Sequence, residues 1–200
     1  MARFDLLRPV CRLATFVTKW TPECDRRIYR LMCYVDSTLH YRMVGFVGDK
    51  WETLEPHLYS DADVAGCTET NRSTSGVEGP RTRFPTVVRS ARQTSISTST
   101  PEAEIVAGHF ALQKVLLPTL DLWDCLLPAG YRAHFHEDNQ AMIQVCKTGK
   151  NPTMNTLKRC HGVDLSFLHE RLSDSAGDGA GNNRDPCDLV DTVTDRMAAY

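Results

Sequence analysis

Two hundred residues, 42% hydrophobic and 24% charged, suffice for one globular core plus a short appendage. Twenty-three Lys and Arg against 25 Asp and Glu leave a formal charge of −2, so bulk composition draws no polyanion and any nucleic-acid contact must come from local patches. Eight cysteines, none nearer in sequence than Cys24 and Cys33, exclude zinc patterns built on Cys-x-x-Cys and read as reduced, mostly buried thiols of an intracellular protein.

The first twenty residues carry Arg3, Arg8, Arg12 and Lys19 against Asp5 alone. That suits an organellar transit peptide, and it suits equally an ordinary amphipathic helix with Leu6, Leu7, Val10, Leu13 and Val17 on one side. Helices are expected over 5–18 and 22–39, the second opened by Thr21 as N-cap and Pro22, with Ile28, Leu31, Met32, Val35 and Leu39 as its apolar stripe. Tyr41 to Val47 reads as extended, and a second strand falls near His57–Asp61. Residues 67–79 are rich in Thr, Ser, Asn and Gly and read as a loop; 84–89 is a short strand candidate.

Thr100 as N-cap and Pro101 then open a helix running to Leu117, which Pro118 ends. A short helix over 120–127, a strand over 131–136 and a helix over 139–147 follow, and Asn151-Pro152 opens a last helix reaching as far as Leu172. Residues 173–186 (SDSAGDGAGNNRDP) read as a flexible connection and 187–193 as a final strand. This alternation predicts an α/β layered fold. No stretch approaches the roughly 20 apolar residues of a bilayer span, because Pro118, Asp121 and Asp124 interrupt the best candidate, so no membrane partner is expected.

Three carboxylates occupy places that local structure holds firmly: Asp61 at a strand end, Glu104 in a helix's first turn, and Asp138 just after a strand. Two-metal phosphodiester hydrolysis needs acids from different elements, since each hard cation takes several oxygen ligands and the pair stands about 3.5–4 Å apart. Ala107, Gly108 and Ala111 follow Glu104 on one small-residue face, which predicts a close approach of helix to sheet. Acids in such places also serve as turn formers and cap partners. His134 and His136 alternate onto one strand face and Glu137 onto the other, which favours a structural role for all three. His161 and His169, eight residues apart, read as surface or capping histidines, with phosphate contact open to His161.

The segments LYSDADVAGC (58–67) and NRSTSG (71–76), then RQTSISTSTPEAE (92–104), EDNQAMI (137–143) and the His-containing 161–170, come in the order of the blocks of the ribonuclease H domain of copia-type retrotransposons, and the sequence resembles that family. Residues 5–48, with RRIYRLMCYV at 26–35, are similar to the end of the reverse transcriptase and its connection. The resemblance covers nearly the whole chain. It implies an RNase H-like mixed sheet with flanking helices preceded by a short helical connection segment, divided as 1–50 (connection), 51–172 (RNase H-like domain), 173–186 (linker) and 187–200 (last strand and the start of a final helix). It implies Mg²⁺-dependent hydrolysis of the RNA strand of an RNA–DNA hybrid. Two Mg²⁺ ions, with Mn²⁺ as a substitute, would be held by Asp61 rather than Asp63, Glu104 rather than Glu102, and Asp138.

The implied partners are the RNA–DNA hybrid and the reverse transcriptase portion of the same polyprotein, in the cytoplasm (a virus-like particle) or the nucleus. Arg89 and Arg92, and Lys147, Lys150 and Arg159, form local basic clusters for phosphates, for which solvated loop charge is the alternative. Three departures stand beside the resemblance. The second strand, expected between Gly76 and Phe84, is short and polar; Pro101 replaces an acidic or polar residue; and the final block stops before its aspartate, for which Asp164 is a weak substitute. An inactive, truncated remnant retaining at most nucleic-acid or protein binding is the alternative these departures define.

Overall fold

A computed structural model describes residues 3–42, 44–45, 48–63, 74–78, 86–127, 130–154, 156–172 and 187–197. The chain divides into two compact units, Met1–Gly45 and Phe46–Tyr200. In the first, α1 (Leu7–Ala14) and α2 (Pro22–Ser37) form a helix pair, with Pro22 in the first turn of α2, where its missing N–H leaves no bond unmade. Two helices cannot enclose a full apolar stripe. Leu13 and Cys24 are buried, whereas Ile28, Met32 and Leu39 stay exposed. Polar ties finish the unit: the Arg3 guanidinium donates to Asp5 and to the Thr38 carbonyl, and the Tyr34 hydroxyl donates to Asp5. The extended segment expected over 41–47 is not a strand at its described residues.

The second unit is a five-stranded sheet of order β3-β2-β1-β4-β5: β1 (His57–Asp63), β2 (Thr74–Glu78), β3 (Val88–Arg92), β4 (Ala133–Glu137) and β5 (Cys187–Asp191). β1–β2 and β2–β3 pair antiparallel, β1–β4 and β4–β5 parallel. The mixed α/β class with flanking helices, expected from the sequence, is the observed one. β2 corrects that reading twice. It lies within the stretch read as a loop, and it starts before the segment where the second strand was expected, of which 79–85 lie outside the described residues. Ser75 and Gly76 are weak strand formers alone, but a ladder on each side, with Asp61↔Gly76 and Gly76↔Ser90 in register, supplies what propensity lacks.

Each parallel step is crossed by helices. Between β3 and β4 run α3 (Thr100–Ala111), a widened turn over Leu112–Leu116, and α4 (Leu117–Leu126). Pro118 therefore does not end the helix as expected. The wide turn ahead of it lets the backbone continue past a residue with no N–H, and the Thr119 hydroxyl bonds the Val115 and Leu116 carbonyls. Between β4 and β5 run α5 (Gln140–Thr148), α6 (Leu157–His161) and α7 (Leu165–Leu172). The single helix expected from Asn151 is interrupted: the Asn151 side chain closes a local turn on Thr153, and Gly162 takes a left-handed conformation (φ 70°) between α6 and α7.

One core seats these helices on the sheet. Leu58, Ala133 and Phe135 of β1 and β4 pack with Ile105, Leu112, Leu116, Met142, Val145, Leu168 and Leu172. α3 also settles against β1 through Ala62, Ala103 and Ala107. Among the described residues no helix is long and apolar enough to cross a membrane.

Candidate active site

β1 and β4 pair from His57↔His134 to Tyr59↔His136. One residue further at the same offset, the Ser60 hydroxyl donates to the Glu137 carboxylate at 3.1 Å. Asp61, still within β1 rather than at its end as expected, and Asp138, just past β4, follow at the next step, beyond the last paired residues of the two parallel strands. α3 then lays its first turn over this edge. Its N-cap is Ser99, one residue before the expected Thr100, and the Ser99 side chain accepts the Glu102 N–H. The small residues Ala103 and Ala107, both fully buried, allow the close approach.

Glu104 descends from that turn and is 5% exposed. The Ala62 backbone N–H bonds its carboxyl, and its Oε2 is buried without a hydrogen-bond partner. Burial, then the charges of Asp61 and Asp138, raise its pKa to about 8. The structure thus brings Asp61 and Asp138 each within electrostatic reach of Glu104. Asp138 is further held by the Thr194 hydroxyl at 2.7 Å, from the turn after β5. Among the described residues no three His, Cys, Asp or Glu side chains form a ready-made metal cage. The donor set still fits a hard divalent cation: crowded carboxylates from separate elements, one with an orphaned buried oxygen.

A fourth acid, read from the sequence as structural, belongs to this edge. Glu137 has no exposure. Burial and the neighbouring Glu104 push its carboxyl well above the usual range, against the opposing hydrogen bonds from the Asn139 N–H and the Ser60 hydroxyl. The signal was strand alternation, which sets Ala133, Phe135 and Glu137 on the buried face of β4. Glu102, the rejected alternative to Glu104, turns away to Thr98 and His161. Asp164 is engaged elsewhere, paired with Lys158 at 2.6 Å and accepting the Ser166 N–H at the start of α7.

Arg89 and Arg92 stand exposed on the outer strand β3, and Lys147, Lys150 and Arg159 are exposed around the end of α5 and in α6. Lys150 and Lys158 line an open cavity of about 540 Å³ with Asn151, Met154, Val163 and Asp164. Of the two histidines read as surface or capping groups, His169 caps: its Nδ1 lies 2.8 Å from the Cys146 carbonyl in the last turn of α5. His161 corrects the reading, since its side chain has no exposure.

No family model matches the chain, and no curated protein matches it. Among solved structures it is similar to RNase H1 from the halophilic archaeon Halobacterium salinarum (13% identity over 73% of this chain and 91% of that one, TM-score 0.46). It is also similar to an RNase H1 isolated from compost by a metagenomic approach (13% identity, 72% and 88%, TM-score 0.44). A third similarity is to a foamy viral protease-reverse transcriptase in complex with double-stranded DNA (14% identity, 93% of this chain and 29% of that one, TM-score 0.37).

Proposed function

We propose that this chain is the ribonuclease H portion of a copia-type retrotransposon polyprotein, hydrolysing the RNA strand of an RNA–DNA hybrid. The observation that carries the reading is the state of Glu104: a buried carboxyl with an orphaned oxygen, pushed to about 8 between Asp61 and Asp138. An edge of this kind is costly to the bare protein and is relieved by a divalent cation. Asp61, Glu104 and Asp138 would hold Mg²⁺, or Mn²⁺ in its place. Bound there, the ions supply charge neutralisation at the scissile phosphate and a water activated for attack.

The chain's own groups do the remaining work. Ser60 and Glu137 tie β1 to β4 beneath the acids, and Thr194 orients the Asp138 carboxylate. Arg89, Arg92, Lys147, Lys150 and Arg159 offer phosphate contacts on either side. Residues 5–48 fit the connection from a reverse transcriptase, which would make that portion of the same polyprotein the partner. In the metal-free chain Glu104 holds a proton at neutral pH, which a cation would displace on binding.

The test is to incubate the purified chain with end-labelled hybrid in Mg²⁺, with and without chelator, beside Asp61→Asn. Chelator-sensitive cleavage lost in the variant supports the nuclease. Equal cleavage by both proteins, or none by either, removes it, and a gel shift on the same samples then decides whether binding survives.

A further inference from the structure

Beside Glu104, the same turn of α3 carries a second buried acid with a different neighbour. Glu102 is 5% exposed. One of its oxygens accepts the Thr98 backbone N–H and hydroxyl, and the other lies 3.3 Å from His161 Nε2. The His161 ring is fully buried at the C-terminal end of α6, and neither of its nitrogens makes a hydrogen bond. Contact with a phosphate or with product is closed to it. A buried imidazole held against a buried carboxylate, with no aligned hydrogen bond, is an expensive arrangement for surface dressing.

Around the pair, segments far apart in sequence are stitched together. The Ser95 hydroxyl donates to the Cys160 carbonyl at 2.6 Å, joining the segment ahead of α3 to α6. Gln93, 5% exposed, accepts the Ser97 hydroxyl and donates its amide to the Ala103 carbonyl at 2.9 Å. Ala103 sits between Glu102 and Glu104. The first turn of α3 is thus gripped through residues 102 and 103, while residue 104 faces the crowded acids.

We propose, resting on the nuclease reading, that His161 is a positioning residue: through Glu102 it pins the first turn of α3 to the end of α6, and so fixes where the Glu104 carboxyl stands opposite Asp61 and Asp138. Outer partners of metal ligands act in this way, and their loss commonly weakens metal binding by about 10–100-fold.

The experiment compares full chains carrying His161→Gln, Glu102→Gln, both together, and Asp61→Asn with the unaltered protein. It reads Mn²⁺ affinity by calorimetry, metal-free thermal unfolding, and kcat and KM on the hybrid. Each single variant is expected to fold, to lose about tenfold in Mn²⁺ affinity, and to lose kcat with KM for the hybrid unchanged. The double variant is expected to be no worse than either single one, because both break one link. Mn²⁺ affinity within twofold of the unaltered protein in folded single variants, or losses that simply multiply in the double variant, would overturn the proposal. So would failure of both single variants to fold, since the pair would then serve folding alone. If Asp61→Asn leaves Mn²⁺ affinity untouched, the nuclease reading itself has failed, a result separate from any of these.

Discussion

The strands β1 and β4 carry two polar clusters on opposite faces, and the contrast shows what a covering helix does to charge. On the face under α3, Ser60 and Glu137 are buried with Glu104 of α3, and burial drives both Glu carboxyls toward the protonated form, aided by Asp61 and Asp138 at Glu104 and by Glu104 and Asp138 at Glu137. On the other face His57, Tyr59, His134 and His136 stack on one another only partly buried, with ring centroids 4.2–5.2 Å apart between nearest partners. His136 is brought down to about 4 by burial and then by His57 and His134. Glu104, Glu137 and His136 are all pushed toward their neutral forms, but the two clusters differ in how well their polar atoms are satisfied. The histidines find partners, His57 Nδ1 facing His136 Nε2 at 2.9 Å and His134 reaching Glu55, whereas Glu104 keeps an unsatisfied oxygen. An unsatisfied acid group calls for a cation; a self-satisfied imidazole stack does not.

The largest effect that would break this contrast is on turnover. Replacing Asp61 by Asn is expected to lower hybrid cleavage roughly a thousandfold or more, since removing a cation-holding carboxylate forfeits several kcal/mol of transition-state stabilisation. His57→Gln, in the histidine stack, should leave kcat within about threefold, a change of roughly 0.7 kcal/mol or less. Comparable losses from the two substitutions, measured as single-turnover rates, would show that the clusters do not divide labour as their environments suggest.

Next comes stability against pH without divalent cations. Glu104 has a folded-state pKa raised from 4.5 to about 8, so the folded protein keeps a proton that the unfolded chain sheds. Its contribution is intact below about 4.5 and is lost progressively up to about 8, at most a few kcal/mol in all. Glu104→Gln should therefore flatten the metal-free decline measured by urea unfolding between pH 5 and 8, and be the more stable protein at pH 8.5. Mg²⁺ should restore the unaltered chain at that pH and leave the variant unmoved. The histidine face has the opposite sign. His136, lowered from 6.5 to about 4, contributes stability that is present above 6.5 and lost as pH falls toward 4. His136→Gln should lessen acid sensitivity by roughly 1–3 kcal/mol in that window, and an unchanged acid limb would sink the assignment.

These two faces were unequally legible in the sequence. The acids could be chosen because strand ends and a capped helix start leave local marks, and because ordered blocks pointed to residues 61, 104 and 138. The cap itself was misplaced by one residue, from Ser99 to Thr100, since both hydroxyls precede Pro101. β2 was hidden because ladders on both sides hold it, whereas its own Ser75 and Gly76 favour turns. Helix continuity past Pro118 was hidden because nothing local announces a widened turn. Glu137 was half visible: alternation set it opposite the histidines, but only tertiary packing shows that this face lies next to Glu104. The burial of His161 depends on α6 meeting a turn some sixty residues earlier, which periodicity does not encode.

The smallest expected effect concerns how the cover is kept on. A Cβ built on Gly108 falls 2.0 Å from the Met142 Cε and 2.8 Å from its Sδ, with the Phe135 ring edge at 3.5 Å. The obstruction is the mobile end of a methionine, which can swing aside, and alanine also returns about 1 kcal/mol of helix propensity. Gly108→Ala should thus be close to neutral in urea unfolding. Valine adds branches that Met142 cannot clear and Phe135 will meet, so Gly108→Val should cost about 1–3 kcal/mol. It should also lift α3 from the sheet, let water reach Glu104 and shift the alkaline stability decline toward lower pH, while the acid limb set by the histidines stays where it was. If both limbs moved together, the two faces would be one electrostatic unit, and the covering helix would not be what separates them.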